Sequence, residues 1–157
     1  KAYGEFNTTN VNLRSGPSPS FTSLGKFNTG THVDVINAVN GWICCIADGK
    51  LGYVRGDYID VKLFPSPIAA QQRVCEAKTT EAAALRTSPS QYAAEIVSLS
   101  EGAQIRVWFE IGDWYYVRIG HRSGFVEKSK IIIGDWFIID LHAIVSSQIG
   151  DGILPRP

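Results

Sequence analysis

Apolar and polar residues alternate over short stretches of this chain, and turn residues interrupt the alternation every few positions. Between residues 31 and 35, Val33 and Val35 share one face, with His32 and Asp34 on the other. Asn40-Gly41 is a hairpin turn signal, and the apolar run 42–46 follows it directly. Asp48-Gly49 is a second such signal, followed by Leu51-Gly52-Tyr53-Val54. Ser15-Gly16-Pro17-Ser18-Pro19-Ser20 has the composition of a loop. Short strands separated by tight turns predict an all-β fold, and at this size a small barrel.

The pattern occurs twice. A shift of 72 positions carries Leu13-Arg14-x-x-Pro17-Ser18 onto Leu85-Arg86-x-x-Pro89-Ser90. The same shift takes Gly30 to Gly102, Trp42 to Trp114, Gly52 to Gly124 and Ile59 to Ile131, with no gap between 11 and 59. A repeat of this length predicts two copies of one small domain. The expected boundaries are a first barrel over 1–60, a linker over 61–73, a second barrel over 74–131 and a C-terminal extension over 132–157. In the linker, Phe64-Pro65-Ser66-Pro67 is stiff and extended, and 68–73 suits one helical turn. A short semi-rigid spacer sets the barrels in a defined relation. Residues 132–145 have no counterpart in the repeat and are very apolar, with Trp136 and Phe137 among them. Exposed to water they form a sticky patch, so they are expected to pack on the barrels as an added strand or helix. The other reading is a partner interface. The end, 153–157, is polyproline-like.

Composition narrows the function. Fifteen Gly and seven Pro supply turns for short strands, and 45% hydrophobic residues supply two small cores. The formal net charge is zero and no basic stripe is present, which argues against nucleic acid as a partner. No apolar run reaches the length of a membrane span. The chain contains no Met, so residue 1 is not an initiator, and a removed signal peptide is one ordinary explanation.

Cys44, Cys45 and Cys75 are an odd number, and their spacing is not that of a zinc knuckle. Val117 stands in the second copy where Cys45 stands in the first, so Cys45 reads as a small buried hydrophobe. Cys44 then points the other way. For any bridge, the expected pair is Cys44 with Cys75. Asp140-Leu141-His142, His32 and His121 have no nucleophile in motif context. Arg55-Gly56-Asp57 reads as a turn between strands. No cofactor or metal is expected.

The string Val11-Asn12-Leu13-Arg14-Ser15-Gly16-Pro17-Ser18 resembles the opening of bacterial SH3 domains. So do Gly30-Thr31-x-Val33-x-Val35, Gly41-Trp42 and Gly52-Tyr53-Val54-x-x-x-Tyr58-Ile59. The second copy departs from the pattern: Ala84 replaces the Asn, Asp113 precedes Trp114, and Lys130 replaces the Tyr. The resemblance implies an all-β chain of two SH3-like small barrels plus a packed C-terminal segment. It also implies non-catalytic modules, mostly of the bacterial envelope or secreted, many attached to cell-wall hydrolases and many binding peptidoglycan or its peptides.

SH3-like barrels bind extended ligands in a shallow groove with flat aromatic walls. If Ile43 and Cys45 face the core, Trp42 and Cys44 face out, and Tyr58 stands where the resembling domains carry a groove tyrosine. Trp42 with Tyr58 is the expected pair in the first copy, with Tyr53 beside it. Trp114 with Tyr116 is the pair in the second. The other reading is that Trp42 and Trp114 seal a barrel end or the interface between barrels. Arg14 and Arg86 read as structural, each holding a neighbouring loop. The expected function is an extracytoplasmic, non-enzymatic module recognising cell-wall peptide or glycan. The alternative is a protein-interaction module, such as an inhibitor or immunity protein of a secreted wall hydrolase.

Overall fold

Two seven-stranded antiparallel sheets follow one another along the chain in a computed structural model that describes residues 2–63 and 71–141. The first sheet holds β1 (Ala2–Phe6), β2 (Val11–Arg14), β3 (Ser23–Phe27), β4 (His32–Val39), β5 (Trp42–Ala47), β6 (Lys50–Arg55) and β7 (Ile59–Leu63). The second holds β8 (Gln71–Thr79), β9 (Ala83–Arg86), β10 (Glu95–Leu99), β11 (Gln104–Ile111), β12 (Trp114–Ile119), β13 (Arg122–Glu127) and β14 (Ile131–Asp140). The strand orders are identical, β3-β2-β6-β5-β4-β1-β7 and β10-β9-β13-β12-β11-β8-β14. These are tandem SH3-like β domains, as the repeat and the resemblance imply.

From β2 onward each strand begins 72 positions before its counterpart, as Val11 and Ala83 do. Ahead of β2 the repeat slips. Gly4 pairs with Val33, but its equivalent Ala77, 73 positions on, pairs with Ile105. The loop over 7–10 is therefore one residue longer than the loop over 80–82.

Both barrels carry the same β-bulge. Register shifts between Val35 and Asn37 in one and between Val107 and Phe109 in the other, leaving Ile36 and Trp108 as the extra residues. The bulge resets alternation so that Val33 and Val35 before it, and Ala38 after it, are all buried. Cys45 and Val117 are both fully buried at matching core positions.

The barrels are joined by more than the linker. Phe109, Tyr116 and Phe125 form an aromatic cluster on the second barrel, with Tyr116 5.2 Å from each of the other two ring centroids. Tyr116, Phe125, Trp114 and Ile111 belong to one continuous hydrophobic cluster with Ala38, Ile43 and Val61 of the first barrel. Polar contacts fix the register across the junction. Ser88 Oγ donates to the Gly56 carbonyl (2.5 Å), Ser90 Oγ to the Gly41 carbonyl (2.8 Å), and Val61 N–H to the Thr87 carbonyl (3.0 Å). Backbones approach closely here. A Cβ on Gly56 would overlap Ser90, one on Gly41 would meet the Tyr92 ring at 2.5 Å, and one on Gly112 would overlap the Ala38 carbonyl.

Two expectations change and a third is met through Asp140. Residues 71–73 are not helical; they extend β8 and pair with Asp140, Ile139 and Ile138 of β14. The Cys44–Cys75 bridge is not formed. Cys75 lies in the interior of the second barrel beside Val107 and Val117, whereas Cys44 sits on β5 of the first. The apolar stretch after 131 is a ten-residue strand laid along β8, through Asp140. The Pro-rich spacer and the segment from 142 onward lie outside the described residues.

Candidate functional site

Three segments converge on one open groove of about 350 Å³ in the first barrel. Thr8, Thr9 and Asn10 come from the longer loop over 7–10, Asn12 and Arg14 from β2, and Trp42, Arg55 and Tyr58 from β5, β6 and the 3-10 turn after it. Asn10 takes a left-handed conformation (φ 57°), which Asn tolerates and which lets the loop fold back over the groove. Asn28 Oδ1 ties that loop down, accepting from Thr9 Oγ1 at 2.6 Å and from Asn10 N–H at 3.3 Å.

Trp42 and Tyr58 thus line the same groove, but in unequal ways. Tyr58 is 37% exposed and stands as a wall. Trp42 is only 7% exposed, so it forms floor and shows little of its ring. Tyr53 does not line the groove. It faces Cys44 across the β5–β6 pair, and that thiol, by charge and by hydrogen bonding, raises the Tyr53 pKa. Cys44 is buried rather than outward-facing.

Arg55 is the site residue that sequence reasoning missed. Its Nε and Nη2 donate to the two carboxylate oxygens of Asp57, each at 2.8 Å. Its guanidinium lies 5.2 Å from the Tyr58 ring centroid and 5.1 Å from that of Tyr92, which belongs to the second barrel. Hydrogen bonding to Asp57 raises the Arg55 pKa further above its already high value, so the cation is permanent. Arg55-Gly56-Asp57 is a turn, as read, and the turn aims its two charged side chains at each other. Nothing in the second copy predicts Arg55, because Glu127 occupies that position.

In the second barrel no equivalent groove is built from Trp114 and Tyr116. Both are buried in the hydrophobic cluster shared with the first barrel. Their surface is the junction between the barrels, the alternative that the sequence left open. Lys130 stands in place of Tyr58 and lies 3.9 Å from Glu127. Arg14 and Arg86 act alike: each donates to a carbonyl seven residues on, Phe21 at 3.0 Å and Ala93 at 2.8 Å, and so pins its loop.

A small seven-stranded barrel with this strand order is an SH3-like barrel. Residues 9–60, the first barrel, match the family described as Bacterial SH3 domain. The chain is 28% identical over 129 residues to YrvJ of Bacillus subtilis (strain 168), named as an N-acetylmuramoyl-L-alanine amidase. The match covers 78% of this chain and 25% of that protein. It is 36% identical over 76 residues to p60 of Listeria monocytogenes, named as an endopeptidase, covering 47% of this chain and 16% of that one. The chain therefore spans a quarter or less of these relatives' lengths. Among solved structures, NlpC1 from Trichomonas vaginalis aligns over 83% of this chain and 45% of its own, at 11% identity and a TM-score of 0.36. Among the described residues no helix is long and apolar enough to cross a membrane.

Proposed function

We propose that this chain is a non-catalytic, extracytoplasmic wall-binding module that holds cell-wall peptide or glycan in the groove of its first barrel. The observation that carries this reading is the groove itself: Trp42 and Tyr58 line it together, at the position where an SH3-like barrel takes extended ligands. The relatives support the setting, since the matched portion recurs in proteins named as a muramoyl-alanine amidase and an endopeptidase. In such a protein a binding module would raise the local concentration of a catalytic partner on the wall. The test is co-sedimentation of the chain with purified peptidoglycan sacculi. Retention that is lost in Trp42→Ala, in a variant that still melts cooperatively, supports the reading. Retention unchanged in that variant removes the assigned groove, and no retention removes the function.

A second reading, a protein-interaction module such as an inhibitor of a secreted wall hydrolase, is favoured by β14. This strand ends the second sheet and leaves Ile132 and Ile138 more than 60% exposed. A stoichiometric complex with such a hydrolase, together with no retention on sacculi, would select it.

A further inference from the structure

The polar side chains of the groove are nearly all left with something to donate. Asn12 and Arg14 are two apart on β2, so they project to the same side of the strand. Asn12 Oδ1 already accepts from Ser23 Oγ at 2.8 Å, which leaves its amide nitrogen to donate. Arg14 spends one Nη1 bond on the Phe21 carbonyl, and among the described residues its other N–H groups have no partner. Arg55 gives Nε and Nη2 to Asp57, and its Nη1 is left over. No Asp or Glu lines the groove. Asp57 balances Arg55, whereas Arg14 forms no ion pair among the described residues.

We propose, resting on the wall-binding reading above, that the groove selects ligands bearing a free carboxylate, bound by Arg14 and Asn12 with the adjoining chain laid over Trp42 and Tyr58. A carboxylate is acceptor-only and matches a guanidinium bidentately, whereas a primary amide brings two donors of its own into a site already full of donors. Wall peptides offer this group in two chemical states, free or amidated, so the groove would discriminate between them.

Isothermal titration calorimetry on the whole chain tests this with two probes. One is an N-acetylated wall stem peptide with free carboxylates, the other the same peptide with every carboxylate amidated. The expected result is about a tenfold preference for the free form, the scale of one charge-assisted hydrogen-bonded contact. Arg14→Gln keeps a donor for the Phe21 carbonyl. It should bring the two peptides to parity by weakening the free form alone. Equal binding of both by the unaltered chain overturns the proposal and leaves the wall reading standing. So does an equal loss of both in Arg14→Gln, which would make Arg14 purely structural. Binding of neither peptide, with sacculi still retaining the protein, also overturns the carboxylate contact alone. Binding of neither, without retention on sacculi, removes the wall reading and the proposal together.

Discussion

Ser90, in the loop that follows β9 of the second barrel, donates a buried hydrogen bond of 2.8 Å to the carbonyl of Gly41 in the first. The same hydroxyl accepts from Tyr92 N–H at 3.1 Å, so one side chain orders its own loop and fastens it to the neighbouring barrel. Ser90→Ala removes one of two donors from the buried Gly41 carbonyl, which keeps the Gly56 N–H at 2.9 Å. The expected loss is about 0.5–1.5 kcal/mol of unfolding free energy. Urea denaturation followed by tryptophan fluorescence should show it, and an unchanged midpoint would mean that the junction contributes nothing to stability.

Gly56 is held by space rather than by backbone angle, because an added Cβ would overlap Ser90. Gly56→Ala must part the barrels or shift the loop, at a cost of about 1–3 kcal/mol. Gly49→Ala is the contrasting change. Nothing lies within 4 Å of its Cβ position, but its φ is +74°, so the cost is local strain of roughly 1 kcal/mol. Calorimetry should separate them. Gly56→Ala is expected to split or broaden the thermal transition as the barrels uncouple, and Gly49→Ala only to lower it. A single sharp transition in both would refute the coupling.

Tyr92 reaches Arg55 from the second barrel at 5.1 Å, as Tyr58 does from the first at 5.2 Å. Tyr92→Leu keeps bulk but removes the ring face, worth about 0.5–1 kcal/mol at an exposed site. Groove affinity is expected to fall roughly twofold to fivefold, although Tyr92 belongs to the second barrel. Titration of the free-carboxylate peptide into this variant checks it; unaltered affinity would confine the site to the first barrel.

Burial, and secondarily the neighbouring Cys44, pushes the Cys45 thiol up to about 12. An unfolded thiol ionises near 8.5. The folded state thus holds the proton more tightly, and the contribution of Cys45 is intact below pH of about 8.5. Above it, stability is lost by up to about 1.4 kcal/mol per pH unit until about pH 12. Cys45→Val copies the residue that fills the same core position, Val117. Relative to that variant, the unaltered chain should lose stability between pH 9 and 11. Parallel pH profiles would show that Cys45 does not titrate on unfolding.

What the sequence made legible was whatever both copies share. Alternation at Val33 and Val35, the Asn40-Gly41 turn and the recurring Arg14 and Arg86 are local signals, and the strands and pinned loops follow them. The error over Trp114 and Tyr116 has a different origin. The repeat makes Trp42 and Trp114 equivalent along the chain, but one barrel docks its aromatic face onto the other, so equivalence ends in space. Only Tyr116, Phe109 and Phe125 standing where the first copy has Cys44, Asn37 and Tyr53 hinted at it: aromatic enrichment on an outer face marks a surface to be covered. Arg55 was illegible because its environment is assembled from both barrels, with Tyr92 lying 37 positions away.

The glycines at the junction also make the two barrels unequal as docking surfaces. A head-to-tail contact does not close on itself, and a surface repeated on each unit would propagate into a filament. Here the second barrel carries Asp113 and Lys128 where the first has Gly41 and Gly56. Another molecule's Ser15-Gly16-Pro17-Ser18 loop, approaching as the Ser88–Ser90 loop does, would meet two side chains where this junction has room for none. The contact between the barrels thus uses the bare backbone of Gly41 and Gly56, and the equivalent surface of the second barrel carries side chains in its place.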